Sequence, residues 1–230
     1  MWDPIVLRQI SENHSVIIFD NRGAGNTTAG TKPFSISQFA NDTVGLLDAL
    51  HIKKRMFWSM GSLLAQEIAL KHPDRVNHLI LYASDYGDKE EIPARPQVIK
   101  TLRNTTGTSQ EQGRRFIFLL FPSEWLEANP NYLNYFSIPK ETAFPETAQK
   151  QTEAIVNWNG TCDVLSKITQ PPLIVTGTKD VIVPPANSMI LVEHISAAWL
   201  VQIRDGGHGL MYQYPDEFSR IVLTFLLQQQ

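Results

Sequence analysis

The sequence predicts an α/β fold with a mostly parallel sheet flanked by helices. Three observations predict it: short apolar β-branched runs without polar alternation, stretches of helical periodicity between them, and glycine-containing turns where the runs end. A strand covered on both faces has no reason to carry polar residues at every second position, so it reads as a continuous apolar run. Parallel neighbours need a crossover between them, which the intervening helices supply.

In chain order, Asp3 followed by Pro4 marks a helix start, because a carboxylate can accept the first free amides and proline gives up a donor that has no partner there. The helix runs to about Ser11. Residues 14–19 are an apolar run ending in Asp20-Asn21-Arg22-Gly23, the pattern of a buried strand and turn. From Ser35, the residues Ile36, Phe39, Ala40, Val44, Leu47 and Leu50 recur at helical spacing, with Ser35 and Gln38 set for a capping box. A strand at about 55–58 leads through Ser59-Met60-Gly61-Ser62 into a helix carrying Leu64, Ala65, Ile68 and Ala69, which His72-Pro73 ends. Further strands are expected at 79–82, 173–176 and 200–203, and a closing helix at about 215–227.

At 230 residues the chain has the size of one domain, 1–230. Between about 86 and 168 its character changes, as Pro93, Pro96, Pro122, Pro130, Pro139 and Pro145 break it into short helical pieces. This segment reads as a helical insertion over the sheet. Its aromatics, Phe116, Phe118, Phe121, Trp125, Tyr132, Tyr135, Phe136 and Trp158, are expected to form mainly its own small core and seam, and together to wall an apolar pocket.

Composition excludes several function classes. With 20 basic and 23 acidic residues spread along the chain, the net charge of -3 offers no field to attract nucleic acid or anionic lipid. No stretch approaches the roughly 18 apolar residues of a membrane span, and residues 1–6 lack the basic patch of a signal peptide. The lone Cys162 fits a reducing compartment, so a cytoplasmic protein is expected. Asn26, Asn41, Asn104 and Asn159 match the short glycosylation pattern, which recurs by chance and needs secretion. Gly23-Ala24-Gly25 follows a strand-like run, but Thr28 stands at the third glycine position and no helix start follows, so dinucleotide binding is disfavoured. No cofactor and no metal are expected.

The chemistry-bearing residues fall where strands end. A serine hydroxyl is a weak nucleophile until a base takes its proton, and that base needs a partner that fixes its tautomer and its charge. Ser59 stands between a strand and a helix, so a sharp turn would raise its Oγ above the sheet beside the amide of Met60. Asp180 follows the strand at 173–176, and His208 follows the strand at 200–203 within Gly206-Gly207-His208-Gly209. A common sheet edge would gather all three. Plainer roles are open to Ser59 as a helix cap and to Asp180 as a turn cap, whereas His208 is flanked by glycines that let the backbone bend close to a site, and the other five histidines have ordinary helix-end, strand or surface explanations.

The order Ser, Asp, His combines with the elbow Trp58-Ser59-Met60-Gly61-Ser62, the turn Asp20-Asn21-Arg22-Gly23-Ala24-Gly25, the segment Gly177-Thr178-Lys179-Asp180-Val181-Ile182-Val183-Pro184 and the Gly-Gly-His-Gly run. Together they resemble the capped α/β-hydrolases over nearly the whole chain. The resemblance implies a cofactor-free serine hydrolase of esters or related acyl compounds, with Ser59 as nucleophile, His208 as base, Asp180 as its partner, Met60 as an oxyanion-hole donor and the insertion as a cap; some members of the superfamily place the acid one strand earlier, where Asp85 stands. Two departures stand out. Phe57 occupies a position where the family has glycine. The family's first strands and its His-Gly-type loop do not precede the opening helix, which suggests an N-terminally shortened form. That loop supplies the second oxyanion donor, whose loss typically lowers the rate by about 10²- to 10³-fold. The absent strands would also leave an unpaired strand edge through which two copies could associate. The competing reading is a non-catalytic or weakly active ligand-binding protein on the same fold. The partner in either case is a small molecule, and ester, lactone, carbon–carbon bond and perhydrolase chemistry share the same residues.

Overall fold

A computed structural model describes residues 2–52, 60–87, 91–136 and 145–228. The expected strand at 55–58, with Phe57 and Ser59, lies outside the described residues.

The chain opens with α1 (Pro4–Ser11), whose start is fixed by Asp3: its carboxylate accepts the amides of Ile5 and Val6 at 2.8 and 3.1 Å. The run at 15–20 that follows has no regular secondary structure, a correction to the expected strand. Val16, Ile18 and Phe19 are 39%, 59% and 45% exposed. Apolar β-branched residues supply the preference for extended backbone, but a strand also needs a neighbour to take its N–H and C=O groups, and none of the described residues pairs with this one. The turn after it is built by polar contacts. Arg22 grips Asp42 with two hydrogen bonds of 2.8 and 2.7 Å and donates to the Ala29 carbonyl at 2.6 Å.

Next come α2 (Ile36–Ala49) and α3 (Met60–Lys71). Ser35 caps α2 by accepting the Gln38 amide at 3.1 Å, but the Gln38 side chain donates to Asp42 at 2.8 Å, so the expected capping box is half made. The Arg22–Asp42 pair recruits that amide into its own network. Strand β1 (Leu79–Tyr82) precedes a segment of short helices: α4 (Pro96–Leu102), α5 (Ser109–Leu120), α6 (Ser123–Ala128) and α7 (Pro145–Val156). Prolines start three of these pieces as expected, with Pro96 and Pro145 at first helical positions and Pro122 at a cap. Then follow β2 (Pro172–Gly177), α8 (Pro185–His194), β3 (Trp199–Ile203), α9 (Leu210–Gln213) and α10 (Pro215–Gln228).

Among the described residues the sheet has the order β1-β2-β3, and both pairings are parallel, with Leu79 opposite Pro172 and Leu173 opposite Trp199. Side chains alternate between two cores, as the period of two requires. Ile80, Tyr82, Leu173 and Val175 face α1 and α10, where they meet Val6, Phe218, Val222 and Phe225. Leu79, Leu81 and Ile174 face the opposite layer, with Ala65 and Ile68 of α3 and Leu191 of α8. Every residue of β1 and β2 is buried. Each fully covered leucine or isoleucine contributes about 1.5–3 kcal/mol, which holds such short runs extended. The C-terminal ends of β2 and β3 then deliver the loops that carry Asp180 and His208 to one rim.

Two sets stand out among the aromatics between β1 and β2. Phe121 stacks on Trp125 at a centroid distance of 4.7 Å and meets Phe136 and Tyr212, making a seam between this segment and α9. Phe116 and Phe118 are 48% and 55% exposed and stand outside that core, a difference from the expected shared wall.

Candidate active site

Asp180 lies three residues beyond the end of β2, and its carboxylate is enclosed, with a side-chain exposure of 0%. One oxygen, Oδ1, accepts the amides of Ile182 and Val183, both at 2.9 Å. The other, Oδ2, lies 2.9 Å from Nδ1 of His208. Two backbone donors thus fix the carboxylate's orientation and leave its second oxygen for the imidazole, whose ring keeps 18% of its surface exposed. The expected Asp180–His208 encounter is therefore present as a direct hydrogen bond.

The loop bearing His208 is packed too closely for side chains on either flank. A Cβ at Gly177 would lie 2.2 Å from the Gly206 carbonyl oxygen, and one at Gly207 would lie 2.4 Å from the carbonyl oxygen of Leu120. Backbone bonds complete the anchoring: Lys179 N–H donates to Gly206 at 2.8 Å, Gly209 N–H to Leu120 at 2.9 Å, and Gly207 N–H to the Gln213 side chain at 2.7 Å. The end of α5 is thereby bolted to the loop that carries the imidazole.

Of the other predicted residues, Met60 is the first residue of α3, where backbone amides lack intrahelical acceptors, and Ser59 lies outside the described residues. The first turn of α3 is tied to the end of β1. Ser62 Oγ donates to the Tyr82 carbonyl at 3.3 Å and accepts the Tyr82 amide at 3.2 Å.

Asp85, the alternative acid, occupies the same rim after β1. The chain reaches it through Ala83, a non-glycine residue in the left-handed region at φ 47°. Its carbonyl is held by Gln66 Nε2 at 2.8 Å and Ser84 Oγ at 3.0 Å. Burial pushes the Asp85 carboxyl up to about 6; the nearby His208 pulls it down and Asp180 pushes it further up. Glu91 follows, pushed up to about 7 by burial and then by repulsion from Asp85. Asn187, fully buried, pins the adjacent Ile92 with two bonds of 2.9 Å, one to its amide and one from its own amide group to the carbonyl. Sequence reasoning weighed Asp85 but missed Glu91, Ser62, Gln66 and Tyr82. Two acids six positions apart after a strand give a faint signal. The Tyr82 phenol reaches the His208 carbonyl across 126 residues, and no local pattern reports that. Among the described residues, no group of three His, Cys, Asp or Glu gathers to hold a metal ion, and no helix is long and apolar enough to cross a membrane.

Comparison with known proteins places the fold. A family model described as the alpha/beta hydrolase fold matches residues 1–215. The 3-oxoadipate enol-lactonase 2 of Acinetobacter baylyi is 27% identical over 229 residues, a match covering 96% of this chain and 82% of that protein. The human serine hydrolase BPHL is 25% identical over 224 residues, covering 92% of this chain and 69% of its own length. The crystal structure of the enol-lactonase from Burkholderia xenovorans LB400 superposes with a TM-score of 0.80 at 25% identity, covering 97% of this chain and 85% of that one.

Proposed function

Because the chain belongs to the α/β-hydrolase fold family, we propose that it is a serine hydrolase of carboxylic esters or related acyl compounds, working through Ser59, His208 and Asp180. The observation that carries this reading is the 2.9 Å contact between His208 Nδ1 and a buried Asp180 whose other oxygen is already engaged by two amides. With Nδ1–H donated to the carboxylate, the imidazole is held in the tautomer whose Nε2 is a free base.

In the proposed reaction Nε2 takes the Ser59 proton as Oγ attacks the substrate carbonyl, and Asp180 stabilises the imidazolium that forms. The Met60 amide, at the start of α3, donates to the developing oxyanion, with the helix N-terminus favouring that negative charge. His208 then protonates the leaving group; water, deprotonated by the same imidazole, attacks the acyl carbon, and the imidazolium returns that proton to Ser59 Oγ as the acid is released. The segment at about 86–168 acts as the cap. Its attachment to the His208 loop through Leu120, and the aromatic seam of Phe121, Trp125 and Phe136, support a role in walling an apolar acyl group. Two relatives are named as enol-lactonases, which extends the substrate class to lactones, whose carbonyl undergoes the same attack.

The test is covalent labelling. A fluorophosphonate probe is expected to modify the purified chain and to leave Ser59→Ala unmodified, while an activated ester is turned over only by the former. Equal labelling of both proteins would refute the reading.

A further inference from the structure

We propose that Tyr82 is a positioning residue for this reaction: its hydroxyl holds the main chain of His208 in register with the first turn of α3. The inference rests on the reading of His208 as the base.

Tyr82 ends β1 and is 1% exposed, its ring packed against Phe218 at a centroid distance of 5.2 Å. Its backbone is tied on both sides to Ser62, three positions after Ser59. Its hydroxyl donates to the carbonyl of His208 and accepts the Met211 amide at 3.4 Å. One side chain thus spans the distance between the helix that follows the nucleophile and the loop that carries the base. Burial raises the phenol well above its ordinary range, so it stays a donor across any working pH.

A loop of the form Gly-Gly-His-Gly has little side-chain substance with which to anchor itself, so its geometry depends on bonds made to its backbone. The bonds at Gly206, Gly207 and Gly209 hold the flanks to the loop after β2, to α9 and to α5. Tyr82 grips His208 itself and refers it to α3. Without the hydroxyl, the imidazole keeps Asp180 as a neighbour but loses the tie that refers its main chain to the first turn of α3. Displacement of reacting groups by about 1 Å can lower a rate by about 100-fold.

The variant is Tyr82→Phe, which keeps the ring and its packing on Phe218. Its kcat for an activated ester is expected to fall between about 10- and 100-fold with KM changed less than about twofold. The far-downfield proton resonance of the His208 Nδ1–H, identified by its loss in His208→Gln, is expected to shift or broaden. Val222→Ala opens a cavity in the same core without touching the hydroxyl, so it reports what destabilisation alone does. It is expected to lower the melting temperature while leaving both readouts in place. If Tyr82→Phe retains the kcat and the resonance of the unaltered chain, or if Val222→Ala reproduces its losses, the positioning role is overturned. A chain that no fluorophosphonate labels would instead defeat the proposed function, and the resonance comparison would still judge Tyr82.

Discussion

Asp180 and Asp85 stand at the ends of adjacent strands, yet their surroundings assign them different work. Asp180 has both oxygens committed, one to amides and one to His208. Asp180→Asn retains the shape but sets an amide where the imidazole needs an acceptor, which favours the wrong tautomer; kcat is expected to fall by about 10³- to 10⁴-fold with little change in KM, as steady-state kinetics would register. Asp85, pushed up to about 6 mainly by burial, gains its charge near neutrality and does so close to His208. Above that pH its negative charge favours the imidazolium formed as the base accepts a proton. The ratio of kcat/KM between the unaltered chain and Asp85→Asn should therefore rise with pH, centred near 6; a ratio that stays constant with pH would show that this carboxyl has no part in the rate. His208 and Asp180 were legible in the sequence because glycines and strand ends mark them locally. Tyr82 was not, because what makes it informative is a hydroxyl bond to a residue 126 positions away, and a tyrosine in an apolar run reads as core.

At the scale of elements, legibility followed burial. β1 and β2 match their expected ranges to within a residue because continuous apolar runs are what strands packed between helical layers require; β3, in which only Ile203 is buried, is the exception and was legible from its apolar residues alone. The run at 14–19 has the same composition but no partner among the described residues, and composition cannot supply a partner. Its backbone amides are expected to exchange with solvent far faster than those of β2 in a hydrogen-exchange experiment; comparable protection would mean that the run is paired in solution. The helical breaks after β1 were readable from proline, whereas the junction between α5 and the His208 loop depends on Gly207 lying against Leu120, a distant contact. Gly207→Ala would set a methyl group 2.4 Å from that backbone oxygen, so either α5 or the loop must move. Overpacking of this kind costs roughly 1–3 kcal/mol. The variant is expected to melt lower and to lose ester turnover, since the yielding element carries the imidazole; full activity with a lowered melting temperature would mean that α5 gives way instead.

For the molecule as a whole, the near-balanced net charge of -3 leaves pH-dependent stability to particular groups rather than to general repulsion. Among the described residues, Asp85 and Glu91 are the carboxyls pushed far up on folding, from ordinary values of 3.8 and 4.5 to about 6 and about 7. A carboxyl raised in the folded state binds more protons there than in the unfolded chain, so stability falls as pH rises between the two values. The window therefore runs from about 4 to about 7, and above it the penalty is complete. The chain is expected to be thermally more stable at pH 5 than at pH 8, opposite to a protein held by ion-paired carboxylates. Glu91→Gln keeps the size of the side chain and removes the ionisation. At pH 8 it is expected to raise the melting temperature by roughly 2–4 °C, the shift that about 1 kcal/mol produces in a domain of this length. At pH 5, near the start of that window, most of the variant's advantage should be gone. Scanning calorimetry of both proteins across that range decides the matter: a variant that gains as much at pH 5 as at pH 8 would be stabilised by packing, and the half-buried carboxyl would not be the source of the pH dependence.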